Sequence, residues 1–168
     1  MSAMIDNIFN FLLHNLGLYN RRYMYNISKQ LIDECKSTNN EMYILMFDID
    51  NFKKINDTYG HDIGDKVIIA LAKEVLRCTR KSDISARWGG EEFLIMLTDT
   101  NKKGAKILAE KIRSKIEALH VNKVKFTVSI GLTSFYCSRD KSIDDTIKRA
   151  DLALYEAKET GKNKVIYM

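Results

Sequence analysis

Proline is missing altogether from the 168 residues, tryptophan occurs once and cysteine three times. With no proline, no repeat and no linker, no internal boundary is expected after Gly17, and a second domain has no room. Cys35, Cys78 and Cys137 are odd in number, far apart and in no metal-ligand spacing. That excludes a disulfide framework and a zinc site, and leaves three reduced, structural thiols as the expectation. No stretch approaches the roughly 20 apolar residues of a membrane span, and the start lacks the basic region and small-residue cleavage site of a secretory signal. The expectation is a cytoplasmic protein with no membrane span. Also missing is a stripe of exposed aromatics interleaved with Arg and Lys, because most aromatics fall on apolar faces. No nucleic-acid partner is therefore expected.

What is present fits one globular domain: 45% hydrophobic and 29% charged residues. The formal net charge of +5 suits an anionic partner. Nucleotides, nucleic acid and acidic lipid all qualify by charge, and a lysine-rich solvated surface gives the same figure.

Apolar periodicity divides the chain into elements. Ile5, Ile8, Phe9, Leu12, Leu13 and Leu16 recur at helical spacing over residues 5–16, a helix that would end at Gly17 and either dock on the core or pair with a copy of itself. Residues 1–17 thus read as a helical linker and 18–168 as the domain proper. A helix over 22–36 would turn Tyr23, Ile27, Leu31 and Ile32 inward. The near-continuous apolar run 42–49 reads as a strand covered on both faces. Helices follow at 53–56 and 62–80, then strands at 84–88 and 93–97 around Gly89-Gly90, a tight hairpin. A helix at 102–119, a strand at 125–135, a helix at 142–158 and a last strand at 165–167 complete the order. Such alternation predicts an α/β (α+β) fold, a central mixed five-stranded sheet flanked by helices in a ferredoxin-like layer arrangement.

Asp48-Ile49-Asp50 sits where an apolar strand meets a loop, a place where carboxylates and a backbone carbonyl can converge on a hard cation. A carboxylate there also serves as a helix cap, and the strand end alone does not choose. In Arg87-Trp88-Gly89-Gly90-Glu91-Glu92-Phe93, the glycines allow a backbone to approach phosphates and the carboxylates project toward whatever lies there. Two acidic clusters on separate strands are what a magnesium phosphoryl-transfer site needs. Asp48, the Ile49 carbonyl and Glu91 are the candidate ligands for one or two ions.

The run Phe47-Asp48-Ile49-Asp50-Asn51-Phe52-Lys53-Lys54-Ile55-Asn56-Asp57-Thr58-Tyr59-Gly60-His61-Asp62-Ile63-Gly64-Asp65, followed by Gly89-Gly90-Glu91-Glu92-Phe93, resembles the GGDEF family signature in order and spacing. The resemblance runs from about Leu18 to Val165. It implies a core like the palm of nucleotide cyclases and polymerases. The implied activity is a diguanylate cyclase, which condenses two GTP into cyclic di-GMP with release of pyrophosphate, using Mg²⁺ or Mn²⁺.

Residue by residue, the resemblance makes Asp48 and Glu91 metal ligands beside the Ile49 carbonyl. Glu91 becomes the candidate for deprotonating the attacking 3′-hydroxyl, with Glu92 auxiliary. Asn56 and Asp65 match guanine-binding positions, and Phe52, Lys53, Gly89 and Gly90 match the phosphate end of the site. Lys158 and Lys162 match distal phosphate contacts, Lys162 replacing a commoner Arg, so that a fork becomes a point charge. Arg80-Lys81-Ser82-Asp83, five residues ahead of the hairpin, matches the RxxD product-inhibition site. The family also implies a homodimer for catalysis, since each domain holds one GTP. The stretch Leu13-His14-Asn15-Leu16 departs from the family pattern where an upstream signalling helix ordinarily joins. That departure bears on regulation and dimer geometry, and whether the chain is a fragment of a longer sensor stays open. The rival expectation is a degenerate domain that only binds GTP or cyclic di-GMP; the complete set of motif residues argues against it.

Overall fold

The computed structural model describes residues 17–38 and 40–168, so the helix expected over 5–16 lies outside the described residues. The elements run β1 (Tyr19–Asn20), α1 (Arg21–Thr38), β2 (Tyr43–Ile49), α2 (Phe52–Tyr59), α3 (His61–Cys78), β3 (Ile84–Arg87), β4 (Glu92–Leu97), α4 (Lys102–Glu117), β5 (His120–Val121), β6 (Val124–Lys125), β7 (Val128–Ser134), α5 (Ile143–Glu159) and β8 (Val165–Tyr167). The main sheet is mixed, in the order β1-β3-β4-β2-β7-β8. β2 lies inside it, antiparallel to both β4 and β7.

All seven residues of β2 are buried, which is why its sequence is a continuous apolar run and not an alternating one. The alternation survives in space. Tyr43, Leu45, Phe47 and Ile49 join a core with residues of α3 and α4, while Met42, Ile44 and Met46 join a second core with residues of α1 and α5. Each large apolar side chain so buried contributes about 1.5–3 kcal/mol. By the same alternation Asp48 falls in phase with Met46, on the α5 side of the sheet.

α5 lies unusually close to that side. A side chain at Gly131 of β7 would put its Cβ 2.0 Å from the Ala150 carbonyl oxygen and 2.4 Å from the Leu154 nitrogen. Glycine is therefore required for helix and strand backbones to meet, and the contact carries the end of α5 over the acidic end of β2. Ser142 and Asp145 close α5's first turn as a reciprocal capping box.

The sheet has six strands where five were expected. The added one, β1, is two residues long and pairs parallel to β3, too short for any period to show. Residues 120–125 form a separate two-stranded ribbon with Asn122 and Lys123 at φ 48° and 69°, so the strand expected from 125 begins only at Val128. In α1 the inward face is Met24, Ser28, Ile32 and Cys35. Tyr23, expected inside, is 39% exposed and stacks on Tyr19 with ring centroids 4.0 Å apart. Ser28 hid this register: it is polar in sequence but buried, its hydroxyl donating to the Tyr25 carbonyl. All three cysteines are free thiols, two of them buried, whereas Cys137 is exposed and plays no packing role. Among the described residues no helix is long and apolar enough to cross a membrane.

Candidate active site

The acidic end of β2 meets the start of β4. Asp48 stands directly opposite Glu92 in the antiparallel register and opposite Ser129 on its other neighbour. Glu91 precedes β4 in the turn. That turn is set by the Trp88 and Gly89 amides, which donate to the Glu92 carbonyl at 2.8 and 3.3 Å. From the strand side, the Arg87 guanidinium donates to the Gly89 and Gly90 carbonyls at 2.7–3.2 Å. Neither hairpin glycine has positive φ; their value is space. A Cβ on Gly89 would sit 2.7 Å from a Glu92 carboxylate oxygen, and one on Gly90 would meet nothing within 4 Å.

Asp48 is buried, and Lys158 at the end of α5 donates to its Oδ2 at 2.6 Å. Burial pushes the Asp48 carboxyl up to about 6 despite Lys158, and the charges of Glu91 and Glu92 add to the rise. The local chemistry is thus an excess of carboxylate oxygen, with an ammonium as its hydrogen-bonded cation.

The corner between α2 and α3 forms a second part. The chain turns there at Gly60, with φ 86°, and α3 runs back beside α2. Asn56 turns its Oδ1 to Gly64, where a Cβ would come within 1.8 Å of it, and the Phe52 ring edge lies 3.2 Å from that same point. Asn56 Oδ1 is buried and has no hydrogen-bond partner. Asp65 follows Gly64, half-buried, while Lys53 is exposed.

The third part is the turn after α5. Lys162 donates to Asn51 Oδ1 at 2.6 Å, joining this turn to the start of α2. Asp50, grouped with Asp48 in the sequence, takes no place at the acidic cluster: Thr127, Ser129 and the Asn163 amide all donate to its carboxylate. Gly64 and Asn163 are the contributors that motif reasoning passed over; for Gly64 the signal was its place immediately before Asp65.

Arg80 and Asp83 lie apart, at the opposite end of β3 from the hairpin. The Arg80 amide donates to Asp83 Oδ2 at 2.7 Å and the Asp83 amide donates back to the Arg80 carbonyl at 3.1 Å. Burial pushes the Asp83 carboxyl up, opposed by that amide. Both residues line a cavity of about 270 Å³ with Thr98, Thr100 and Lys111.

The family described as "Diguanylate cyclase, GGDEF domain" matches residues 16–164. The chain belongs to the GGDEF family. Diguanylate cyclase A of Treponema denticola is 46% identical over 126 residues, 73% of this chain and 34% of that protein. Diguanylate cyclase DgcM of Escherichia coli is 42% identical over 151 residues, 89% of this chain and 36% of that protein. The chain thus spans about a third of the length of these curated relatives. Among solved structures, the active GGEEF domain of a diguanylate cyclase from Vibrio cholerae superposes with a TM-score of 0.85 at 34% identity, covering 89% of this chain and 97% of that one. The GGDEF domain of DgcB from Caulobacter crescentus, in complex with c-di-GMP, superposes with a TM-score of 0.84 at 29% identity, covering 89% and 91%. This GGDEF domain also reads Gly-Gly-Glu-Glu-Phe at its hairpin, residues 89–93.

Proposed function

We propose that this GGDEF domain is a diguanylate cyclase that joins two GTP molecules into cyclic di-GMP and releases pyrophosphate. The observation that carries the reading is the crowding of Asp48, Glu91 and Glu92 at one sheet end, with Asp48 raised to about 6. The names of the relatives support the reaction, and the c-di-GMP complex of the Caulobacter domain supports the product.

Among the described residues no group of three or more His, Cys, Asp or Glu is placed to hold a metal ion by itself. Mg²⁺ or Mn²⁺ shared between a protein and a triphosphate would need only one or two carboxylates, its other positions going to phosphate and water. The hard oxygen donors fit as well, and the Lys158 ammonium already marks the place as one that seeks positive charge. Asp48, Glu91 and the Ile49 carbonyl would hold the ion. Bound there, it supplies charge neutralisation at the α-phosphoryl group and the departing pyrophosphate.

The remaining work falls to the chain itself. Lys158 and Lys162 bind the distal phosphates, and Phe52, Lys53, Gly89 and Gly90 border the triphosphate. Asp65 accepts from the N1 and N2 donors of guanine, and the unpartnered Asn56 Oδ1 is a further acceptor for an amino group. Adenine would leave such acceptors unpaired, at a cost of about 1–3 kcal/mol each. In each half of the reaction a 3′-oxygen bonds to the other nucleotide's α-phosphorus as the bond to pyrophosphate breaks. Glu91, with Glu92 beside it, takes the hydroxyl proton. Since one domain holds one GTP, two domains must face each other. Arg80 and Asp83 bind the product away from the catalytic end and restrain turnover.

The test is incubation with GTP and Mg²⁺ over a range of enzyme concentrations, with products identified by mass. Cyclic di-GMP and pyrophosphate are expected, with specific activity rising with enzyme concentration, ATP left unused, and inhibition by added cyclic di-GMP relieved in Arg80→Ala. GTP recovered intact under all these conditions would refute the reading.

A further inference from the structure

Asp50 is a buried carboxylate that the proposed chemistry does not use. It is 4% exposed and accepts three hydrogen bonds, from Thr127 Oγ1 at 2.6 Å, Ser129 Oγ at 2.6 Å and the Asn163 amide at 3.0 Å. Its own amide donates to the Thr127 carbonyl at 2.9 Å. Two of these bonds fasten the end of β2 to the start of β7. The third reaches the turn between α5 and β8, where nothing in sheet pairing requires it.

Backbone bonds close that turn only as far as Lys162: the Thr160 amide donates to the Glu156 carbonyl and the Lys162 amide to the Ala157 carbonyl, both at 2.9 Å. Gly161, Lys162 and Asn163 are consecutive residues at φ 117°, 62° and 47°. Glycine adopts such values freely, whereas Lys and Asn do so against a steric cost that the surroundings must offset. The surroundings are polar and specific. The Asn163 amide is held by Asp50, and its side chain is gripped by α4: Arg113 Nη1 donates to Oδ1 at 2.7 Å, and Nδ2 donates to Glu117 Oε1 at 2.7 Å. Arg113 and Glu117 are themselves paired at 2.8 Å. Asn163 is thus pinned from two sides.

The pinned turn carries Lys162 and follows directly on the end of α5, which carries Lys158. Lys162 is the residue before Asn163; its amide donates to the Ala157 carbonyl, and its ammonium lies 2.6 Å from Asn51 Oδ1. Lys158 leaves the same end of α5 to reach Asp48 at 2.6 Å. Asp50 stands between Asp48 and Asn51 in sequence, so one rigid stretch of main chain presents the carboxylate, the clamp and the lysine's resting partner together.

We infer that Asp50 and Asn163, backed by Arg113 and Glu117, are positioning residues that set Lys158 and Lys162 for a nucleotide's distal phosphates. The inference rests on the proposed role of those lysines and adds that their aim is imposed by a clamp outside the phosphate site. A ligand without distal phosphates would not sense the clamp, whereas a general loss of structure would weaken every ligand alike.

The experiment compares 3′-deoxy-GTP, which lacks the attacking hydroxyl, with GMP, which lacks distal phosphates, each titrated with Mg²⁺ present and followed by NMR. In Asn163→Gly, which keeps the backbone conformation accessible and removes only the grip of α4, affinity for 3′-deoxy-GTP is expected to fall about tenfold while GMP binding is unchanged, a loss on the scale of one charge-assisted hydrogen bond. Lys162→Ala should cost clearly less in the Asn163→Gly background than alone. Asp50→Ala should resemble or exceed Asn163→Gly. Asp50→Asn should restore most of the affinity, since its amide can face the Ser129 hydroxyl, which can turn to accept, and leave an oxygen for Asn163. Should Asp50→Ala fail to fold, Asn163→Gly and Asp50→Asn still decide the matter. Equal losses for both nucleotides, no loss, or an unchanged Lys162→Ala effect would overturn the clamp. Failure of the unmodified protein to bind 3′-deoxy-GTP would overturn the proposed function and the clamp with it; normal binding in both unmodified protein and variants would overturn the clamp alone.

Discussion

Two buried aspartates, one at each end of the sheet, meet opposite environments. Asp140 lies under the start of α5, and Arg149 donates to both its oxygens at 2.7 Å, joined by the Tyr136 amide at 2.8 Å and the Thr146 hydroxyl at 2.9 Å. Burial alone would raise its pKa, but Arg149, the amide and the hydroxyl outweigh it, and the carboxyl is held below the usual range. Asp48 at the other end has Lys158 and is crowded by Glu91 and Glu92, so burial prevails and its carboxyl rises to about 6. Both cost desolvation. At Asp140 the chain supplies every donor that the carboxylate needs, as a structural ion pair requires. At Asp48 it supplies the Lys158 ammonium but adds the negative charge of Glu91 and Glu92, an arrangement that serves a ligand better than it serves folding.

The contrast breaks most sharply in activity. Asp48→Asn and Glu91→Gln should each lower cyclic di-GMP formation by about a thousandfold, because each removes a charge on which the metal and the phosphoryl transfer depend. Neither should lower thermal stability at neutral pH, since both relieve repulsion. Product formation is read by mass and stability by melting. A variant that keeps near-normal turnover, or that unfolds, would place these carboxylates in the first class and not the second.

Asp140→Ala should do the reverse. It strands a largely buried Arg149, which also donates to the Ser134 carbonyl at 2.7 Å, and removes the acceptor for the Tyr136 amide. The expected cost is about 2–4 kcal/mol in urea unfolding, at the lower side of what breaking a fully buried pair entails because Arg149 keeps some exposure. Turnover per folded molecule should stay unchanged. An unaltered unfolding midpoint would remove the claim that this end is structural.

The sequence disclosed the two ends unequally. The strand β2, the hairpin and the helix order were legible because burial on both faces leaves an unbroken apolar run and glycines mark turns. The acidic cluster was legible because Asp48 and Glu91 each border a glycine turn or strand end within a long motif. The fate of Asp50 was not: the residues that satisfy it lie 77, 79 and 113 positions away, and only the folded sheet brings them near. Arg149 and Asp140 likewise carried no motif. The inward face of α1 was misread at Tyr23, though not at Ile32, because Ser28 is a polar residue satisfied by its own helix, a substitution for an apolar residue that periodicity cannot see. The assignments of guanine and phosphate contacts came from resemblance, with the buried, unpartnered Asn56 Oδ1 now adding a physical reason for one of them.

The smallest effect expected, and the most direct measure of the contrast, is in pH. Asp140 has a depressed pKa, so its contribution to stability is fully present above the ordinary carboxylate range near 4 and is lost as pH falls through its folded value. Asp48 has a raised pKa, so the favourable contribution of its protonated form is present below that range and lost as pH rises through about 6. The stability difference between Asp48→Asn and the unmodified protein should therefore move in the variant's favour between pH 4 and 7. The expected size is about 1–2 kcal/mol, because a tenfold change in proton affinity is worth about 1.4 kcal/mol and solvent reaching the Lys158 side of the site screens part of it. The difference between the unmodified protein and Asp140→Ala should stay constant from pH 7 down to about 5 and shrink only in stronger acid. Both are read by urea unfolding in the presence of a chelator, so that no divalent ion compensates the charge at Asp48. A pH-independent difference for Asp48→Asn from 4 to 7 would show that Lys158 alone meets the needs of this carboxylate, and the distinction between the two ends of the sheet would be lost.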